Sequence, residues 1–313
     1  MFGTMLNLRT CPVCNSGNTN YYTSTSAQMH SNKEVFGFDQ CKDCEFVFMN
    51  PRVPTEQLKN YYTKYYLPYR GAEAWGKFEK LVENSFKKLD SRKLKRLNKV
   101  HKLTPSSVIL DIGCGQPSFL KMCKDQTNCQ THGIDFSNEG WLHQSLKYEG
   151  LNLQIGEICD LSKELKPDVI TMWHYLEHDY TPSYNLNYLK SISKPTTKLI
   201  IEVPNFESSS RRKFGKNWAG WHTPRHASLF SPKNLELMLN RNGWKVDQSF
   251  NYGTMDPYLI HWMSKMEEKG IAWNKSMEGE ILPFISGMLR FIPKKLLEKK
   301  LSLGIMTTVA SLS

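Results

Sequence analysis

Short apolar runs separated by helix-like intervals dominate the chain from residue 105 onward. SVILDIG (107–113), THGIDFS (131–137), LNLQIGEI (151–158), PDVITMWH (167–174), TKLIIEVPN (197–205) and WKVDQSFN (244–251) each have strand length and composition. Between them, PSFLKMCKD, NEGWLHQSLKYEG, SYNLNYLKSIS and SPKNLELMLNRNG carry apolar residues at helical spacing. In the last of these, Ser231 is a plausible cap and Gly243 a plausible stop. The alternation predicts a doubly wound α/β domain, with a mostly parallel sheet that LSLGIMTTVAS (301–311) completes as a seventh strand.

The first hundred residues read differently. Residues 73–103 predict one or two helices rich in Lys, Glu and Leu, ended by Pro105. Ahead of them, Tyr61, Tyr62, Tyr65, Tyr66 and Tyr69 form a dense aromatic group. It either packs the front of the chain onto the main domain or lines an acceptor pocket. The expected division is a small module at 1–55, a helical and aromatic linker or lid at 56–104, and the α/β domain at 105–313. Insertions fall at 206–228 and 254–300.

Four of the eight cysteines form two CxxC pairs, Cys11/Cys14 and Cys41/Cys44. Each pair places two thiolates on one side of a tight turn, and two such turns supply a tetrahedral zinc site. Residues 15–40 hold too few apolar groups for a core, so a short hairpin tied by the metal is expected. Unbound thiols and a redox pair are the alternatives. Disulfides are disfavoured, because the N-terminus does not read as a secretory signal and the chain is expected in the cytoplasm. The formal charge of +11 suits nucleic acid, an anionic membrane face or a phosphorylated ligand without choosing among them. One lysine and no arginine between the cysteine pairs argue against a phosphate-gripping ribbon.

The chemistry concentrates at the carboxyl ends of the expected strands, where open α/β sheets bind ligands. DIGCGQPS lacks the third glycine of a dinucleotide fingerprint, and Pro117 stands in its place. Proline is tolerated in the first turn of a helix, so it can open the helix and leave Gly113 and Gly115 to the ligand. Asp111, Asp135 and Asp160 follow three successive strands. One acid near an amine, one on a ribose diol and one on an adenine amine suit adenosylmethionine better than a dinucleotide.

VILDIGCG, GIDFS, GEICDL, DVITMWHYLEH and LIIEVPN, in this order and spacing, resemble the class I S-adenosylmethionine-dependent methyltransferases over about residues 73–310. The resemblance implies a Rossmann-like methyltransferase fold and a cofactor held by Asp111, Gly113, Cys114, Gly115, Asp135, Phe136, Asp160, Leu161 and Trp173. The paired cysteines resemble the zinc module of deoxysugar C-methyltransferases, a group that looks to a late-loop histidine for acid/base chemistry; His226 occupies that place. His174, Tyr175, Glu177 and His178 sit where the methyl would be delivered. His174 and His226 are the candidate bases, with Glu177 and Tyr175 beside them.

The insertion holds Arg211, Arg212, Trp218, Trp221, His222 and Arg225. Its arginines are expected to hold a phosphate or carboxylate and its tryptophans to stack on an apolar or sugar face. The acceptor is therefore expected to be a small molecule, a sugar or glycan precursor, or a lipid-linked molecule. ILPFISGMLRFIPKK (281–295) joins an apolar face to Arg290, Lys294 and Lys295, either as a pocket cover or as a peripheral membrane contact. The alternative reading is a zinc-ribbon nucleic-acid-binding or RNA-modifying protein. It is disfavoured because no NPPY-like base-handling motif follows the fourth strand.

Overall fold

A computed structural model describes residues 5–313, the side chain of Tyr69 excepted. Around the two cysteine pairs lie β1 (Thr19–Ser26), β2 (Val35–Cys41) and β3 (Val47–Met49), an antiparallel meander. The apolar runs become β4 (Val108–Ile112), β5 (Gln130–Asp135), β6 (Asn152–Ile155), β7 (Val169–Trp173) and β8 (Lys198–Pro204). Then come β9 (Ser228–Leu229), β10 (Trp244–Phe250) and β11 (Ile305–Leu312).

Among the described residues the main sheet has seven strands in the order β10-β11-β8-β7-β4-β5-β6. β11 pairs antiparallel with both neighbours, and the β8-β7-β4-β5-β6 pairs are parallel. The order reverses between β4 and β7, whose residues are buried nearly throughout. Strands covered on both faces are apolar along most of their length, which is why VILDI and VITMW read as near-continuous runs; their buried polar residues, Asp111 and Thr171, satisfy each other. This is the Rossmann-like methyltransferase fold the sequence predicted.

The turn after β4 places Pro117 at the N-cap of the helix Ser118–Thr127, with Lys121 N donating to Pro117 O at 3.0 Å. Proline lacks only a donor that no helical carbonyl needs at that position. Ser231 caps Pro232–Arg241 by accepting from Asn234 N, and Gly243 leaves it with φ +77°. The helix expected over 138–150 is instead a broken 3₁₀ stretch, Leu142–Tyr148, non-helical at Gln144. Two causes are visible. A Cβ at Gly140 would lie 2.3 Å from Gly115 O, so the loop is pressed onto the glycine turn. Leu142 and Leu146 face outward, which leaves no apolar face to hold a regular helix.

The small front sheet is not isolated from the large domain. β9, at the end of the 206–228 insertion, pairs with β3 and makes it four-stranded. Phe46, Phe48 and Phe230 carry this sheet into the same core as β4, β7 and β8. The helices Pro257–Glu268 and Ile281–Leu296 pack through Tyr258, Trp262 and Phe291 onto Leu67, Trp75 and Val82. Among the described residues, no helix is long and apolar enough to cross a membrane.

Candidate functional site

The four front cysteines converge. Cys11 Sγ lies 3.6 Å from Cys44 Sγ, and Cys14 Sγ lies 3.4 Å from Cys41 Sγ. All four sulfurs fall within 4.8 Å of one another. Zinc–sulfur bonds of about 2.3 Å place tetrahedral ligands about 3.8 Å apart, so the donor set and its spacing fit zinc.

At the carboxyl end of β4, Gly113 and Gly115 adopt φ of +68° and +48°. A Cβ on Gly113 would strike Tyr175 Cδ2 at 2.5 Å, whereas one on Gly115 would meet nothing within 4 Å. The first glycine is thus needed for packing, and the second leaves an open face. Asp135, ending β5, accepts from Gly115 N at 2.9 Å and from Ser137 N at 3.2 Å. The next residue, Phe136, is 68% exposed, an unusual placement for a large ring. Trp173 Nε1, at the end of β7, is buried without a partner. An open glycine face, an acid, a bare aromatic ring and an orphaned donor fit an adenosylmethionine cradle.

The other expected contacts vary in placement. Asp111 is buried behind the turn, where it accepts from Thr171 Oγ1 at 2.5 Å, and burial pushes its carboxyl up to about 7. Cys114 points into the core beside Phe119 and Leu120. Asp160 accepts from Glu157 N at 2.8 Å in a capping box, and Leu161 is buried with its carbonyl on Tyr188 Oη. Two residues were hidden in the basic run of the long helix Glu79–Val100. Asp90 accepts from Ser118 Oγ at 2.7 Å, and Lys93 Nζ lies 5.5 Å from the Trp173 ring centroid. Only the packing of that helix against the turn reveals them.

Beyond β7, WHYLEH folds as a tight 3₁₀ turn, Leu176–His178, with His174 at φ +57°. His174 lies between two buried acids, with Nδ1 3.5 Å from Glu177 Oε1 and Nε2 3.3 Å from Glu202 Oε1. Burial alone would lower its pKa, but the two carboxylates outweigh it and raise the imidazole to about 9. Glu202 accepts from Thr254 N, Thr254 Oγ1 and Thr307 Oγ1. His174 first, and then the Thr254 bonds, overcome its burial and hold it at about 2. The two carboxylates therefore favour the protonated form of His174.

The late loop brings His222 and His226 to the same place. The His226 ring stacks on His222 at 4.7 Å and meets His178 edge-on at 4.5 Å. Burial keeps all three of these imidazoles below the usual range. Tyr66 packs against His222 at 5.3 Å, and Tyr62 lies 5.9 Å from Phe136. The tyrosines thus span from the glycine-turn side to the histidine cluster.

Of the insertion's other residues, Arg225 and the two tryptophans are buried in packing rather than facing a ligand as expected, whereas Arg211 and Arg212 line an open cleft with Tyr22, Phe206 and Glu207. Arg225 is fully buried, and its terminal nitrogens donate to Tyr61 O and Gln28 O, each at 2.6 Å. Trp218 and Trp221 are 0% and 3% exposed, with their indole nitrogens on Ser210 Oγ and Gly215 O. Arg211 stacks on Phe206 at 3.9 Å and donates to Tyr22 Oη, and Arg212 donates to Glu207 O. Large apolar rings and a fork of donors that satisfy backbone carbonyls make this loop a packed buttress, and the histidines are what it delivers to the site.

The model of a methyltransferase-domain family matches residues 81–249, more than half of the chain. The chain belongs to that family. It is a class I adenosylmethionine-dependent methyltransferase, as the motif order implied. No curated protein matches its sequence. Among solved structures, the methyltransferase is similar to an adenosylmethionine-dependent methyltransferase from Geobacter sulfurreducens in complex with S-adenosyl-L-homocysteine. That match has 15% identity and a TM-score of 0.45, and it covers 71% of this chain and 90% of that one. It is also similar to magnesium protoporphyrin IX methyltransferase from Synechocystis, with 13% identity, a TM-score of 0.46, and 76% and 88% coverage. A third is the cyclopropane synthase MmaA2 from Mycobacterium tuberculosis, with 12% identity, a TM-score of 0.48, and 70% and 82% coverage.

Proposed function

We propose that this methyltransferase methylates a small-molecule or lipid-linked acceptor, of the sugar or glycan-precursor class, held beneath Tyr62 and Tyr66 against the Glu177–His178–His226 cluster. The observation that carries the reading is the juxtaposition at one sheet end of an open glycine face and a buried proton-accepting cluster. Gly115, Asp135, Phe136 and Trp173 hold the cofactor, with Asp135 on its ribose hydroxyls and Phe136 against its adenine. When bound, adenosylmethionine supplies an electrophilic methyl group. The chain supplies alignment and exclusion of water, which are the main demands of an in-line displacement.

The acceptor's proton leaves as the methyl arrives, and it needs a base within hydrogen-bond reach. Glu177 and Glu202 favour the protonated form of His174, which makes it the poorer proton acceptor. The cluster of Glu177 and His226 offers lone pairs, so the base role falls there. His174 orients Glu177. The four cysteines hold a structural zinc that ties the front sheet to the buttress loop.

A lipid-linked acceptor is favoured by the helix Ile281–Leu296. It leaves Leu282 and Leu296 at 71% and 81% exposure beside Arg290 and Lys294, a face suited to an anionic membrane surface.

The test is transfer from labelled adenosylmethionine to sugar nucleotides, lipid-linked glycans and short RNA, followed by variants on the best acceptor. His226→Ala is expected to lower turnover while cofactor affinity holds, because it removes a group that acts on the acceptor alone. Transfer to RNA alone overturns the acceptor class. Wild-type turnover in His226→Ala overturns the cluster's role.

A further inference from the structure

We propose that Glu177, His178 and His226 bind a divalent transition-metal cation at the acceptor side of the site, a second metal centre apart from the four cysteines. The argument begins with tautomers. His178 Nδ1 lies 3.1 Å from Arg225 O, and His226 Nδ1 lies 2.9 Å from Gly220 O. A carbonyl oxygen can only accept, so both Nδ1 atoms carry their hydrogens. Each neutral ring then keeps its lone pair on Nε2.

What these rings meet is another acceptor. Glu177 is 1% exposed, and neither carboxylate oxygen has a hydrogen-bond partner. His226 Nε2 stands 3.9 Å from Glu177 Oε1, and one ring nitrogen of each histidine falls within 4.8 Å of the others' ligand atoms. His174 meets Oε1 from one side and leaves Oε2 unpartnered. Glu177 thus presents a buried carboxylate, with Oε2 lacking any donor, to the neighbouring imidazoles, and a buried acceptor without a donor is costly. A cation between them removes that cost.

The dimensions and chemistry agree. Metal–nitrogen and metal–oxygen bonds of about 2.0–2.2 Å hold tetrahedral ligand atoms about 3.4 Å apart, so the cluster needs to close by no more than about 1.5 Å. Two imidazoles and one carboxylate suit zinc, iron or cobalt rather than magnesium or calcium, and leave coordination positions open. The Nδ1–H contacts to backbone carbonyls are the supporting bonds that orient metal-ligating histidines. Resting on the function proposed above, the open positions would take a hydroxyl, or the pair of a vicinal diol, from the acceptor. The histidine lone pairs then hold the cation, and the free oxygen of Glu177 receives the hydroxyl's proton.

The experiment uses the full chain with zinc in the cysteine cluster and titrates it with Co²⁺, reading calorimetry and the visible spectrum. The expected result is one further equivalent, with weak visible bands and no new sulfur-to-cobalt charge transfer. Glu177→Gln and His178→Gln, each checked for an unchanged melting profile, should weaken that uptake by about 100-fold or more. Retained zinc content will show that the cysteine cluster is intact. No second equivalent in wild type at millimolar Co²⁺, or unchanged uptake in both variants, overturns the proposal. Binding of S-adenosylhomocysteine is measured in parallel. Its loss in wild type would refute the methyl-transfer reading alone, and its presence without cobalt uptake would refute the metal centre alone.

Discussion

Replacing Arg225 by methionine tests the distinction between a ligand-gripping loop and a packed one. The side chain is fully buried and spans two otherwise distant segments through 2.6 Å bonds to Tyr61 O and Gln28 O. Its guanidinium also lies 4.5 Å from the Tyr66 ring centroid. Methionine fills much of the volume but leaves both carbonyls without a donor. Hydrogen bonds from a charged donor contribute about 1.5–3 kcal/mol each, so two give about 3–6 kcal/mol. Relief from burying a guanidinium offsets part of this, because burial already lowers its pKa below the usual value. The expected net loss is about 3–4 kcal/mol, a large fraction of a stability of about 5–15 kcal/mol. Urea unfolding should show the midpoint falling with an unchanged slope, since the surface exposed on unfolding barely changes. A loss below about 1 kcal/mol, accompanied by a selective rise in KM for the acceptor, would refute the packing argument and restore Arg225 as an anion contact.

Chelation, or Cys41→Ser, is expected to release about one zinc per chain and to loosen the four-stranded front sheet before the main domain; metal analysis with hydrogen exchange reads both. Asp135→Asn removes a carboxylate from the proposed ribose contact and leaves one of Gly115 N and Ser137 N without an acceptor, so cofactor binding should weaken by about tenfold or more by calorimetry with only a modest fall in melting temperature. Asp111 is pushed up to about 7 by burial from an ordinary value of 3.8, so the folded chain holds its proton more tightly than the unfolded one. Stability should therefore fall as pH rises through that interval, and Asp111→Asn should flatten the slope in pH-dependent unfolding. Leu282→Glu with Leu296→Glu should abolish flotation with anionic vesicles while leaving transfer to a water-soluble acceptor unchanged.

The main sheet was legible in the chain because its central strands are buried on both faces, and that environment admits little besides Val, Ile, Leu and Met at β4, β7 and β8. The glycine turn and the acid ending β5 were legible for a related reason: positive φ at Gly113 and Gly115 restricts residue identity locally. The cysteine pairs carry their own spacing. The 138–150 segment misled because its helical periodicity was real, yet the press of Gly140 on Gly115 O overrode it. Arg225, Trp218 and Trp221 misled in the opposite sense: arginine and tryptophan suit ligands and cores equally, and only burial tells them apart. Asp90 and Lys93 were unreadable within a run of charges, since helix packing alone selects which two reach the turn. The Glu177–His178–His226 cluster needed the fold most. Two of its members are neighbours in sequence, but His226 arrives from a loop held by β9 on the front sheet, and the protonated nitrogen of each ring is fixed by a backbone carbonyl that only the folded chain supplies.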